Sequence, residues 1–158
     1  MNPWLLAAIV AVLVIAVVIK RLIGEPVNVR DLFAAPVILT GIGVLTLVKM
    51  KDVTGTDLTW VTAGAVLGAA LGALRGATVQ LFDKQGVLWQ RYTGRTFLAV
   101  IGSLLVMAGF GILAAKMGMH ESARPIQLSL GVSFLGESLV VGRRGMTSGI
   151  PFAPERRR

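Results

Sequence analysis

Five long blocks of apolar residues, separated by short polar segments, are the feature that most limits how this chain can fold. The first four blocks contain no charged residue, and the fifth contains only Glu137. At about 1.5 Å of rise per residue, helices of this length reach roughly 24 to 30 Å, close to the thickness of a bilayer's hydrocarbon core. The sequence therefore predicts an all-α membrane protein with five transmembrane helices, over residues 4–19, 32–48, 58–74, 96–115 and 125–142.

The composition indicates that lipid, rather than water, surrounds most of the chain. Hydrophobic residues make up 54% of the sequence and charged residues 15%, with a mean hydropathy of +0.75. The absence of cysteine excludes disulfides, thiolate metal sites and cysteine nucleophiles. The net charge of +8 comes from residues between the apolar blocks and near the C-terminus, so it favours anionic lipid over nucleic acid as a partner.

The distribution of lysine and arginine predicts the orientation of the spans, because every loop is short enough for the positive-inside rule. Twelve basic residues fall in the first loop, the third loop and the C-terminal segment, against four in the other two loops. The N-terminus is therefore expected outside and the C-terminus in the cytoplasm. Residues 1–142 are predicted to form the bundle, and residues 143–158 a disordered basic cytoplasmic tail. The twelve residues are Lys20, Arg21, Arg30, Arg75, Lys84, Arg91, Arg95, Arg143, Arg144, Arg156, Arg157 and Arg158.

A regular stripe of glycines marks the third span as a helix-packing element. Small residues at every fourth position let two helix backbones meet in van der Waals contact inside a membrane. Two interpretations are open: the stripe forms the seam of a homo-oligomer, or it packs against a neighbouring span of the same chain. The stripe consists of Gly64, Gly68, Gly72 and Gly76.

The fifth span carries a polar stripe, formed by Ser129, Ser133 and Glu137 at intervals of four residues. An ionisable group inside a membrane is costly and is by default a candidate functional residue. The stripe is interpreted in three ways: it lines a path for a substrate or proton, Glu137 forms a structural ion pair with Arg75 or Arg95, or the carboxylate reaches water.

The third loop is predicted to form a short cytoplasmic β-hairpin. Two β-prone runs, 78–82 and 87–92, flank residues 83–86, where Asp83 can start a turn and Gly86 can take a positive φ. An irregular interfacial loop is the alternative. Aromatic rings and cations both favour the lipid headgroup region, so five residues are predicted to lie at the membrane interface: Phe82, Trp89, Arg91, Tyr92 and Arg95.

No cofactor or metal is expected from the sequence. Met117, Met119 and His120 could attract Cu(I), but a single imidazole with two thioethers is weak support for a metal site. Phosphate-binding glycine loops, paired-histidine metalloprotease motifs and Gly-x-Ser-x-Gly elbows are all missing from the sequence. Enzymatic activity is therefore not the leading expectation.

The segments 71–79 and 83–92, together with the basic segment before Pro36, resemble the CcdC-like family of small bacterial membrane proteins. The resemblance covers about a third of the chain. It implies a multi-pass protein of a bacterial cytoplasmic membrane. The family has no established activity or catalytic residues to transfer.

Three functions are compatible with these features. The leading hypothesis is a membrane protein that acts by helix–helix assembly, as a homo-oligomer or as the accessory subunit of a larger complex. The alternative is a small transporter or channel that uses the polar stripe around Glu137. A membrane enzyme acting on a lipid-soluble substrate, with Glu137 as acid or base, is the third.

Overall fold

The computed structural model describes residues 2–155, apart from the side chains of Leu6, Val10, Val14 and Ser122. About 73% of the structure is helical. A three-stranded sheet and a short 3₁₀ turn at Glu121–Ala123 complete it. The helices are α1 (Pro3–Ile23), α2 (Val29–Lys49), α3 (Gly55–Thr78), α4 (Gly94–Lys116) and α5 (Ile126–Thr147), and the strands are β1 (Glu25–Pro26), β2 (Gln80–Lys84) and β3 (Val87–Arg91).

Each predicted apolar block forms one of these helices, and the helices extend beyond the blocks into the flanking polar residues. Local capping sets where they begin. Thr54 and Asp57 form a reciprocal capping box at the start of α3, and Thr93 and Thr96 form another at the start of α4. The side chain of Asn28 accepts a hydrogen bond from the Arg30 amide at the start of α2.

Among the described residues, four helices are long and apolar enough to cross a membrane, namely α1 to α4. The structure is thus compatible with an all-α membrane protein. The fifth helix, α5, has 22 residues but a lower hydropathy, because Glu137, Arg143 and Arg144 interrupt its apolar sequence. Helices α2 and α3 both pack along it.

The glycine stripe of α3 faces α5 of the same chain. A Cβ built on Gly72 would meet the backbone oxygen of Ser133, and one built on Gly76 would lie 2.7 Å from the backbone oxygen of Glu137. Gly68 also faces α5, whereas Gly64 packs against Phe110 of α4. Of the two interpretations of the stripe, the structure therefore agrees with packing inside the chain.

The predicted hairpin is confirmed, with a tighter turn than expected. Strands β2 and β3 pair in antiparallel register from Gln80 opposite Arg91 to Lys84 opposite Val87. The connection is therefore Gln85 and Gly86 alone, with φ values of 58° and 76°. Both central residues of such a two-residue turn need positive φ, which is the conformation expected for Gly86.

The C-terminal segment departs from the predicted disordered tail, so a boundary at residue 143 is wrong. Helix α5 continues to Thr147, and the chain beyond it runs along the sheet. The Leu88 amide donates to the Pro151 carbonyl at 2.8 Å, and the Ala153 amide donates to the Val27 carbonyl at 2.9 Å. Three arginines of the predicted tail, residues 156–158, lie outside the described residues.

Segments far apart in sequence thus meet at one end of the helices, here called the sheet end. Strand β1, in the first loop, pairs with β3, and the C-terminal segment bonds to both the first loop and β3. At the other end, here called the loop end, the His120 amide donates to the Asp57 carboxylate at 2.8 Å. At the sheet end, therefore, the first loop, the third loop and the C-terminal segment are neighbours. These segments contain most of the basic residues of the sequence.

The contact between α3 and α5 generates a testable expectation. Gly72→Ala places a methyl group against the Ser133 carbonyl, so we expect it to lower the free energy of unfolding by about 1 to 3 kcal/mol. Gly109→Ala in α4 is the matched control, because a Cβ there meets nothing within 4 Å. Unfolding of both variants in mixed detergent micelles measures the difference, and equal stabilities would contradict the α3–α5 contact.

Candidate functional site

A buried ion pair joins α3 to α5. Arg75 lies in the last turn of α3, and its Nε donates to Glu137 Oε2 at 2.5 Å. Both side chains are only 8% exposed. The bare surfaces of Gly72 and Gly76 bring the two helices close enough for this contact. Of the two structural partners expected for Glu137, the structure brings Arg75 to it and leaves Arg95 exposed.

Tyr92 is the second hydrogen-bond donor to the Glu137 carboxylate. It follows β3 directly, and its hydroxyl donates to Glu137 Oε1. The ring packs edge-on against Phe97 and lies under the Arg21 guanidinium. Burial raises the pKa of Tyr92, and the nearby negative charge of Glu137 raises it further. The hydroxyl therefore keeps its proton and remains a hydrogen-bond donor.

The polar stripe of α5 is only partly assembled around this pair. Arg75 Nη2 lies 3.4 Å from Ser133 Oγ, a long hydrogen bond. Ser129 lies one turn closer to the N-terminus of α5, and its backbone oxygen is near Gly68 rather than near the ion pair. The stripe therefore consists of Ser133 beside the pair and Ser129 beyond it.

The five residues predicted to lie at the membrane interface belong to the hairpin or follow it closely. Phe82 and Trp89 pack together with ring centroids 6.4 Å apart, and the Arg91 guanidinium lies 5.4 Å from the Phe82 ring. Arg91 and Arg95 are exposed. Tyr92 is the exception among the five, because it is buried at the ion pair. Sequence alone gave no signal for this, since a tyrosine between a strand and a span also suits a headgroup region.

Two further polar side chains of α5 donate to backbone carbonyls of its neighbours, and the sequence did not predict these contacts. Arg144 Nη1 donates to the carbonyls of Gly76 and Val79, which close the C-terminus of α3. Ser138 Oγ donates to the Leu32 carbonyl of α2. These contacts fix α5 against both of its neighbours and so position Glu137.

Two cavities flank the ion pair. The sheet-end cavity, of about 430 Å³, lies between the end of α1, strand β1, α2 and α5, and Glu137 is on its wall. The central cavity, of about 350 Å³, lies between α1, α4 and α5, and Arg75, Tyr92 and Ser133 are on its wall. Arg21 and Phe134 line both.

The ion pair therefore lies where the two cavities adjoin. Its carboxylate faces one cavity and its guanidinium faces the other, while Phe134 lies 5.3 Å from the guanidinium carbon. The sheet-end cavity has a charged mouth with Lys20, Glu25 and Asp31, whereas the central cavity is mainly apolar. A solute accommodated by both needs polar and apolar parts.

The residues considered for copper are arranged differently. His120 Nδ1 lies 2.9 Å from Asp57 Oδ2, in a contact that ties the fourth loop to the start of α3. Within residues 2–155, no group of three or more His, Cys, Asp or Glu side chains could hold a metal ion. The geometry at His120 is that of a structural hydrogen bond.

No protein-family model, curated protein or solved structure matches this chain. Its chemistry is therefore inferred from the site itself. The three groups at its centre, Arg75, Glu137 and Tyr92, satisfy each other and separate two spaces. The bonded side chains separate the two cavities, and breaking the contact would connect them.

We expect Glu137→Ala to lower the free energy of unfolding by about 3 to 5 kcal/mol, because it leaves the Arg75 charge buried without a partner. The double variant Arg75→Met with Glu137→Leu removes both charges and should recover most of that loss. Titration of the folded fraction with a denaturing detergent measures all three proteins.

The matched control for this prediction is Glu25→Ala. Glu25 pairs with Arg21 and Lys20, but it is more exposed than Glu137, so its loss should cost less than about 1 kcal/mol. If Glu137→Ala were as mild as Glu25→Ala, the pair would not be a buried contact of the folded protein.

Proposed function

We propose that this chain is a small multi-pass membrane transporter, in which the Arg75–Glu137 pair is the gate for an amphipathic solute. The observation that carries the proposal is that the two bonded side chains line different cavities. Breaking one contact would then join the charged sheet-end cavity to the apolar central cavity. This is the alternative that the polar stripe of the fifth span suggested.

The proposed membrane arrangement has five spans, with the N-terminus outside and the C-terminus in the cytoplasm. The apolar character of α1 to α4 supports it, and the lower hydropathy of α5 suits a helix that packs against α2 and α3. Hydrogen bonds among the first loop, the hairpin and the C-terminal segment agree with one basic side. The CcdC-like resemblance favours the cytoplasmic membrane of a bacterium.

The gate is closed in the arrangement described above. Glu137 receives hydrogen bonds from Arg75 and Tyr92, so each of its oxygens already has a partner within the protein. Opening requires Arg75 to turn away, and Ser133 Oγ already lies within its reach on the central side. Helix α1 can make room for this movement, because its main contact with the rest of the protein is through β3.

The same geometry weighs against catalysis by Glu137. A general base needs a free oxygen pointed at its substrate. Here each carboxylate oxygen already accepts a hydrogen bond, one from the Arg75 guanidinium and the other from the Tyr92 hydroxyl. Use of Glu137 as a base would first require the ion pair to break, which is the step that the gate proposal already contains.

Assembly remains the second candidate, and α1 is the observation that favours it. The glycine stripe of α3 is already covered within the chain, at Gly64 by Phe110 of α4 and at the other three glycines by α5. In helix α1, in contrast, none of the residues whose side chains the structure describes is buried. Its exposed face is available for lipid or for a partner helix of an accessory complex.

The absence of cysteine allows a direct test of the gate. Ser133→Cys places one thiol on the wall of the central cavity. We expect a water-soluble thiol reagent, added at the sheet end, to label this thiol slowly when Ser133→Cys is the only substitution. Adding Glu137→Gln should increase the labelling rate on the order of tenfold, because the charge that holds Arg75 is lost.

The control for labelling is Glu25→Gln, which alters the sheet-end cavity without touching the pair. Gate function is contradicted if both substitutions change the labelling rate equally, or if neither changes it while the protein stays folded.

Transport itself can be measured in proteoliposomes with a single-chain amphiphile that carries a nitrobenzoxadiazole group. We expect the protein to speed movement of this probe between leaflets, and Glu137→Gln to change that rate while Glu25→Gln does not. Dithionite reduction of the outer-leaflet probe gives the rate. A rate equal to that of protein-free vesicles would favour assembly instead.

A further inference from the structure

A third cavity lies at the loop end of the helices, away from the ion pair. It has a volume of about 320 Å³ and is enclosed by α3, α4 and the start of α5. Its wall is mostly apolar and includes Trp60, whose ring meets Phe110 edge-on at 5.4 Å. Met107, Ser129 and Leu130 line both this loop-end cavity and the central cavity.

Arg124 brings an uncompensated charge to this apolar space. Its Nη2 donates to the Gly111 carbonyl at 2.5 Å, while its Nε is buried without a hydrogen-bond partner. Across residues 2–155, no carboxylate lies within 4 Å of its guanidinium. A partly buried cation whose Nε is shielded from water and lacks an acceptor is stabilised when an anion joins it.

The start of α5 adds a second positive feature at the same place. Pro125 occupies the N-cap position, where no side chain accepts a hydrogen bond from the first turn. That turn also contains no acidic residue. The Leu128 amide donates to the Pro125 carbonyl, whereas the Ile126 and Gln127 amides have no partner among the described residues. Two backbone donors and the positive end of the dipole of this 22-residue helix therefore lie beside Arg124.

We propose that the loop-end cavity binds the anionic headgroup of a single-chain amphiphile. The carboxylate or phosphate contacts Arg124 and the first turn of α5, and the chain lies along Trp60, Met107 and Leu130. The cavity volume of about 320 Å³ is near the lower limit for ligand sites, so it accommodates one alkyl chain rather than two. Met107 and Leu130 also line the central cavity, but Arg124 and Trp60 line the loop-end cavity alone, so the headgroup site does not require the gate at Glu137.

Trp60 provides the readout, because bromine atoms on a bound chain quench its fluorescence. Trp4→Phe with Trp89→Phe leaves Trp60 as the single tryptophan of the chain. In detergent solution, this protein is titrated with a brominated fatty acid, a brominated lysophosphatidic acid and the brominated alcohol of the same chain length. We expect the two anions to quench with saturation, at concentrations about tenfold below that of the alcohol.

Arg124→Gln should raise the concentration of either anion needed for half-quenching by about tenfold, with little effect on the alcohol. The matched control is Lys116→Gln, which removes an exposed positive charge from the same end of the molecule. It should leave quenching unchanged. Ala108→Phe keeps Arg124 but fills the cavity from an exposed position, and should reduce quenching by both anions.

Preference for the carboxylate or for the phosphate identifies the headgroup, and either result supports the site. Equal quenching by acid and alcohol would mean ordinary contact with surrounding amphiphile and would overturn it. Equal effects of Arg124→Gln and Lys116→Gln would also overturn it, by reducing the effect to overall charge. Loss of flux in Glu137→Gln with quenching intact separates this proposal from the gate.

Discussion

The contact on which the structure depends is the ion pair between Arg75 and Glu137. Two charges can remain in an apolar bundle only if they meet closely and their other hydrogen-bonding atoms are satisfied. Gly72 and Gly76 allow the close approach, and the Tyr92 hydroxyl binds the second carboxylate oxygen. Helix α5, the least apolar of the five, is accordingly packed between α2 and α3. The glycine stripe and the polar stripe are two sides of one helix contact.

Much of this fold could be predicted from local sequence. Apolar blocks of bilayer length become helices, and the Asp83–Gly86 segment specifies a turn between strands. Strand β1 and the C-terminal segment could not be predicted, because both are stabilised by β3, which is distant in sequence. Gly, Ser and Pro near the C-terminus resemble a disordered tail until a partner for their backbone is known. Local composition specifies elements more reliably than it specifies their partners.

The candidate site was predictable to a similar extent. Glu137, Ser133 and Arg75 stand out because charged and polar groups are rare within apolar spans. Tyr92 and Arg124 do not, since each has an ordinary interpretation at a membrane interface. What distinguishes them is three-dimensional: one hydroxyl that reaches a buried carboxylate, and one guanidinium whose Nε has no partner. Neither property has a sequence signal.

The order of synthesis gives the ion pair a further significance. Arg75 lies in the last turn of α3 and is made 62 residues before Glu137. A ribosome therefore delivers a cation to the membrane well before its counter-ion exists. Its position in the last turn of α3 lets the long side chain reach toward phosphate headgroups during that interval. Glu137, on α5, is synthesised only after that interval, and its carboxylate then pairs with the Arg75 guanidinium in the folded protein.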